Sequence, residues 1–169
     1  MPATYTLINS NVLTTTAASV TFSAIPATYT DLVIRLSARC DAAIVNLKIT
    51  FNGDNATNYS QTYVYGDGSS AASGNQSNTD NINPFGLNAS TYTSNTFSNA
   101  EIYVPSYLVS QNKPVGFFGV TENNATSAYL MASAGLWRNT AAITSISIAP
   151  NANNFVSGSS FYLYGISNA

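Results

Sequence analysis

The chain has 169 residues, a formal net charge of −2 and no histidine, and only 7% of its residues are charged. Ordinary globular domains carry about 25% charged residues, so serine, threonine, asparagine and glycine must solvate this surface instead. The five basic residues are scattered, which argues against a phosphate-binding face. The missing histidine removes the commonest general base and the usual transition-metal ligand.

Apolar and polar residues alternate with a period of two along most of the chain, which is typical of half-buried β-strands. The clearest example is 45–51, where Val45, Leu47, Ile49 and Phe51 alternate with polar residues. The predicted strands cover about 4–8, 18–23, 31–39, 45–51, 59–65, 98–105, 114–121, 127–136, 143–148 and 160–166. We therefore predict one all-β domain over 1–169, a jelly-roll-like β-sandwich of about eight to ten antiparallel strands.

The character of the sequence changes after Tyr65. Residues 66–84 are rich in glycine, serine, asparagine and aspartate and contain almost no apolar side chains. Long connections of this kind are usually either functional or mobile. The sequence thus predicts a long polar loop at about 66–97.

Carboxylates are the main reactive groups that the sequence offers. A glycosidase needs two of them across a cleft, and most of those present lie in turn contexts, where aspartate has a structural use. We therefore predict no catalytic residue, no cofactor and no enzyme, and a hydrolase that uses Asp54 or Glu101 is the least favoured option. Calcium is the only metal considered, because Asn52, Asp54, Asn55 and Asn58 bring hard oxygens together. Such clusters are more often Asx turns, so we predict no metal site.

Tyrosine is abundant, with eleven copies. Tyr63, Tyr65 and Tyr92 lie in or near the strands that flank the long loop, and together with Trp137 they are the candidate interface residues. A tyrosine combines a flat apolar ring with a polar tip, which suits both sugar stacking and protein interfaces. Filling of a β core is the competing interpretation for each of the four side chains.

Several segments are similar to a known family. They are FSAIPATYTDLVIR at 22–35, FNGD at 51–54, GLWRNTAAITSI at 135–146 and FYLYGI at 161–166. Together they resemble small β-rich proteins encoded in tailed-phage genomes, over most of the chain outside 66–97. The resemblance implies a virion structural role, either in capsid decoration or in a head or tail fibre, and it carries over no catalytic residue.

The function we expect is that of a capsid decoration or cement protein. It would form a homotrimer, bridge neighbouring major capsid subunits and lie on the outer surface of the virion, with no nucleic-acid or membrane partner. Synthesis in the host cytoplasm is expected, because no signal-like apolar segment is visible and the lone Cys40 suits a reducing compartment. The alternative is a fibre module that binds host surface glycans through the tyrosine-rich flanks of 66–97.

Overall fold

The computed structural model describes residues 4–43, 46–84, 86–124 and 128–167. Within these ranges no residue is helical, and accordingly no helix there is long and apolar enough to cross a membrane. The strands are β1 Tyr5–Val12, β2 Val20–Phe22, β3 Asp31–Ala38, β4 Leu47–Phe51, β5 Tyr59–Gly66, β6 Ala71–Thr79, β7 Ser98–Val104, β8 Lys113–Val120, β9 Leu130–Trp137, β10 Ile146–Pro150 and β11 Ser160–Ile166.

The strands form two antiparallel sheets. The larger sheet has eight strands in the order β1-β11-β3-β7-β8-β9-β5-β6, and the smaller has three in the order β2-β10-β4. One apolar cluster that draws on both sheets forms the core. The prediction of an all-β sandwich is confirmed, whereas the strand order does not establish a jelly roll.

Strand alternation decides which side chains enter this core. In β4, Leu47, Ile49 and Phe51 are fully buried, while Lys48 and Thr50 between them are half-buried. The same period of two runs through β7, β8 and β10. The alternation that predicted these strands is therefore also the pattern that builds the core.

The predicted loop at 66–97 is wrong in its first part, because Ala71–Thr79 forms strand β6. This strand pairs with β5 as an antiparallel hairpin. At the hairpin turn, Asp67 Oδ1 accepts hydrogen bonds from the backbone N–H groups of Ser69 and Ser70 at 2.9 and 2.7 Å. Only one of the nine residues of β6 is β-branched and none is aromatic, so pairing with β5 and not intrinsic propensity makes this strand.

The rest of the predicted loop is irregular, and most of its described residues up to Ala89 are buried, whereas most of 90–97 is exposed. Ile82 and Leu87 are buried, and Ile82 exchanges two backbone hydrogen bonds with Ile49 of β4, at 2.9 and 3.1 Å. The Ile82 side chain also packs over Gly135 of β9, where an added Cβ would lie 2.8 Å from Ile82 Cδ1. Residues 82–84 therefore extend the small sheet beyond β4 and across the inner side of the large one.

Two cationic side chains hold loops through backbone carbonyl groups. The Arg39 guanidinium donates to four carbonyl oxygens within 90–96, at 2.8 to 3.3 Å. Lys113 is completely buried, and burial lowers the pKa of its ammonium group. Its Nζ donates to three carbonyl oxygens, those of Val109, Gln111 and Thr140, at 2.7, 2.6 and 3.3 Å.

Lys113→Met is expected to lower the free energy of unfolding by about 1–3 kcal/mol, because three carbonyl oxygens lose their donor. Removal of the buried ammonium also removes its desolvation cost, which raises the free energy of unfolding. The measured change is the difference between these two effects. Urea denaturation measures the change, and Lys48→Met is the control. Lys48 is half-exposed and its Nζ lies 3.9 Å from Asp80 Oδ2, so the control should shift stability by about 0.5 kcal/mol or less. A Lys113→Met protein as stable as the wild type would show that desolvation of the ammonium outweighs its hydrogen bonds.

Candidate functional site

The outer face of the eight-stranded sheet, which points away from the small sheet, collects exposed apolar side chains. Val64, Phe118 and Leu130 are 57%, 53% and 53% exposed. The cross-strand register aligns Val64, Ala132 and Phe118 in one row, and Leu130 lies in the next row. Contiguous exposure of large apolar residues is uncommon on monomeric soluble proteins and marks interaction sites.

The part of this face formed by β8, β9, β5 and β6 is called here the small-residue half. Five small residues surround Val64, Phe118 and Leu130. They are Gly66, Ala71, Gly116, Ala132 and Ala134. A shallow depression of about 480 Å³ lies between Val64, Phe118 and Leu130. This half of the face is therefore recessed and apolar.

The part formed by β1, β11, β3 and β7 is called here the tyrosine half. Its outward tyrosines are Tyr5, Tyr103, Tyr162 and Tyr164. The rings of Tyr5 and Tyr164 meet edge to face, with centroids 6.4 Å apart. The Tyr103 hydroxyl donates to Asp31 Oδ2 at 3.0 Å. Burial, and to a smaller extent this hydrogen bond, raises the pKa of Tyr103. Large rings therefore stand on this half.

One ion pair lies near the middle of the face. Arg35 Nε on β3 is 2.9 Å from Glu101 Oε2 on β7, and the two side chains are 55% and 46% exposed. The Arg35 guanidinium also lies 5.6 Å from the centroid of the Tyr5 ring. Outward positions of the eight strands hold no other charged residue except Asp31, which is buried. Aromatic and arginine side chains with few other charges are typical of protein–protein interfaces.

Trp137, one of the predicted interface residues, is fully buried. Its ring lies 5.5 Å from that of Phe51 and 6.3 Å from that of Tyr59, measured between centroids. Its Nε1 donates to Asp54 Oδ2 at 2.8 Å. The interface role predicted for Trp137 is therefore wrong, because both its ring and its polar atom are satisfied inside the protein.

The other three predicted interface residues are neighbours of one another or of Tyr129. Tyr63 and Tyr65 are half-buried on the inner side of β5, with ring centroids 6.3 Å apart. Tyr65 lies 5.9 Å from the ring of Tyr129. Burial raises the pKa of Tyr92, and proximity to Tyr129 adds to this shift. An interface role for this tyrosine cluster (Tyr63, Tyr65, Tyr92 and Tyr129) stays a prediction.

The calcium candidates are engaged in hydrogen bonds. Asn52 Oδ1 accepts from the backbone N–H groups of Thr144 and Ser145 at 2.8 and 3.1 Å. Asp54 Oδ2 accepts from Asn58 Nδ2 at 3.0 Å as well as from Trp137.

Asn55 Nδ2 donates to the carbonyl oxygen of Gly53 at 3.1 Å. In the part of the chain that the structure describes, no three histidine, cysteine or acidic side chains are grouped as for a metal. The cluster joins the turn after β4 to residues 137–145, which is the use of Asx side chains expected in turns.

Sequence reasoning missed the residues of the outer face, although a signal was present. Phe117 and Phe118 follow one another in β8, and in β9 Leu130, Ala132 and Ala134 are as apolar as the buried positions between them. An antiparallel strand that is apolar on both sides indicates a sheet that is covered on both faces. The chain itself covers one of these faces, and the other is left open.

Asp54→Ala is expected to lower the free energy of unfolding at pH 7 by about 1.5–3 kcal/mol, since charge-assisted hydrogen bonds are lost. The hydrogen bond from Asn58, followed by those from Trp137 and Ala56, lowers the pKa of Asp54. The folded pKa lies below the unfolded value of about 3.9, so this stabilisation is complete above that pH and is lost as pH falls through the folded pKa. Acid denaturation curves of both proteins should therefore converge at low pH.

Calcium provides the control for this prediction. Millimolar calcium should leave the unfolding temperature of the wild type unchanged. A calcium-dependent rise that disappears in Asp54→Ala would show that the cluster holds a metal ion.

Comparison with protein-family models, curated proteins and solved structures finds no match to this chain. The resemblance to tailed-phage virion proteins therefore rests on the sequence segments alone. The role of the chain has to be inferred from its own surfaces, of which the outer face of the large sheet is the most distinctive.

Proposed function

We propose that this chain is a non-enzymatic structural protein of a tailed-phage particle, which decorates the capsid as a homo-oligomer and bridges neighbouring major capsid subunits. The observation that supports a contact role is the outer face of the large sheet, which is apolar, rich in tyrosine and almost uncharged. The resemblance of the sequence segments supports the phage assignment. The trimer expected from the sequence stays a prediction.

The outer face is large enough for a specific interface. Eight strands about 4.8 Å apart, each with about seven residues of about 3.3 Å, cover about 900 Å². Stable protein interfaces bury about 800 Å² on each partner. One such face therefore suffices for a lasting contact.

The proposed mechanism is bridging. A copy that buries surface against two subunits at once raises the barrier to their separation, because both contacts have to be broken together. The few charges of the chain suit this role, since contacts between uncharged surfaces weaken little when salt changes.

The two carboxylates considered for hydrolysis have structural partners. Asp54 is bound to Asn58 and Trp137, and Glu101 is paired with Arg35. These contacts support a structural rather than a catalytic use for both residues.

Virions that lack this protein are expected to lose resistance to heat and osmotic shock, and added purified protein should restore it. Restoration should fail with Phe118→Asp, which places a charge in the outer face. It should succeed with Val109→Asp, because Val109 is equally exposed, at 51%, in the loop between β7 and β8. Virions that survive equally well without the protein would refute the cementing role.

The alternative function is a receptor-binding module for host surface glycans. The observation that favours it is the tyrosine cluster, in which Tyr63, Tyr65 and Tyr92 gather with Tyr129. Loop 90–96, which carries Tyr92, is held by the Arg39 guanidinium. A fixed group of rings suits stacking on sugars.

Tyr65→Ala is expected to weaken glycan binding at least about tenfold if this alternative holds. Tyr65→Phe is the matched control, since it keeps the ring and removes only the hydroxyl. A glycan array and host adsorption measure both variants. Unchanged binding by Tyr65→Ala, or no glycan bound by the wild type, would remove the alternative.

A further inference from the structure

We propose that a second copy of this chain packs face to face on the outer face, related by a twofold axis that runs along the strands between β3 and β7. This inference deepens the proposed function by naming the occupant of the face. It commits to a second copy, and a capsid subunit on the same face is a competing outcome of the test.

The two halves of the outer face have complementary relief. The tyrosine half carries large rings, whereas the small-residue half is recessed around glycine and alanine positions. A second copy that is turned over lays its β11 and β1 over β8 and β9 of the first, where Gly116, Ala132 and Ala134 leave room for larger side chains, and the same contact repeats on the other side of the axis. Strands β5 and β6, with the depression beside Val64, stay outside the pair. A self-complementary contact of this kind is what a twofold interface requires.

The register of the strands specifies which residues would meet. With the axis between β3 and β7, Tyr164 of one copy lies over Gly116 of the other, where there is no side chain to displace. Tyr162 lies over Phe118 in the adjacent row.

Val12 lies over Leu130 in the row after that. Both side chains are more than half exposed in the single chain, at 56% and 53%. Two of the apolar side chains that a lone copy leaves in solvent would therefore cover each other.

Charge is self-complementary about the same axis. Arg35 and Glu101 are cross-strand partners on β3 and β7, so the twofold operation places Arg35 of each copy over Glu101 of the other. The outward positions bring no further exposed charge into the contact. Like charges therefore do not meet, and each ion pair becomes part of a four-membered cluster.

The size of the contact fits a stable dimer. The axis overlaps six strands of each copy, β1, β11, β3, β7, β8 and β9. Six strands cover about 660 Å² on each copy, or about 1,300 Å² in total, which lies within the range of specific interfaces. Two sheets packed face to face in this way lie about 10 Å apart, as in ordinary sandwiches.

A twofold pair also fits the placement of the two halves better than a ring of three. In a ring, each copy contacts one neighbour with one patch and the other neighbour with a second patch. Both halves here lie on one side of the same sheet. A second copy that contacts one half through its own outer face therefore contacts the other half as well.

The test uses charge reversal and mixing of the full chain. Arg35→Glu leaves two acidic groups on the face, and Glu101→Arg leaves two basic groups. Each variant alone should dissociate at least about tenfold more readily than the wild type, whereas an equimolar mixture should pair again, because every contact across the interface then joins opposite charges. Light scattering or mass photometry reads the mass, and the expected wild-type value is twice 17.8 kDa.

Folding is checked separately by circular dichroism and thermal unfolding, and an ion pair this exposed adds little to stability. Phe118→Asp should also abolish pairing, with Val109→Asp as the matched control. A wild type that stays a single copy at roughly 100 µM, a trimer, or a mixture that fails to pair would each overturn the inference. A single-copy protein that restores virion resistance, and no longer does so as Phe118→Asp, would refute the pair, retain the cementing role and identify a capsid subunit as the occupant. Pairing without any effect on virions would retain the pair and refute that role.

Discussion

The mismatch between eight strands in one layer and three in the other governs this structure. The inner side of the large sheet is apolar over its central strands, and the small sheet is too narrow to cover all of it. Residues 82–84 supply part of the missing cover, with Ile82 bonded to β4 and packed over Gly135 of β9. In the described part of the chain no second layer lies over the other side, so that face meets solvent with Phe118 and Leu130 exposed.

Two of the few cationic side chains hold irregular segments, and a third is paired on the outer face. Arg39 and Lys113 bind backbone carbonyl groups and hold the irregular segments at 90–96 and 105–112. A buried cation without hydrogen bonds would be costly, and several carbonyl groups meet that requirement. On the outer face of the large sheet, the exposed charged residues are Arg35 and Glu101, and they form an ion pair with each other. A surface of this kind does not repel a second copy.

Period-two alternation predicted strands such as β4 well, because burial of one side is all that such a strand requires. It could not predict β6, whose alanine, serine and asparagine residues become a strand only through pairing with β5. Trp137 illustrates a second limit. The buried indole N–H is satisfied by Asp54, which lies 83 residues earlier in the chain, and no local pattern reveals so distant a partner. The outer face was missed for a different reason, since alternation identifies strands whose two sides differ, whereas β8 and β9 are apolar on both sides.

An open apolar face has a consequence for a protein proposed to bridge subunits. Bridging needs at least two contact surfaces, and a single sandwich of this kind has two unlike sides, one formed by the small sheet and one open. A pair joined through the open faces becomes a four-layer body in which both small sheets point outward, in opposite directions. Association must also overcome an entropic cost of about 4–15 kcal/mol, which favours contacts that bury large rings such as Tyr164 over those that bury short polar side chains. The uncovered face of a single chain is thus the surface that would join two copies, and the two small sheets would form the identical ends of the pair.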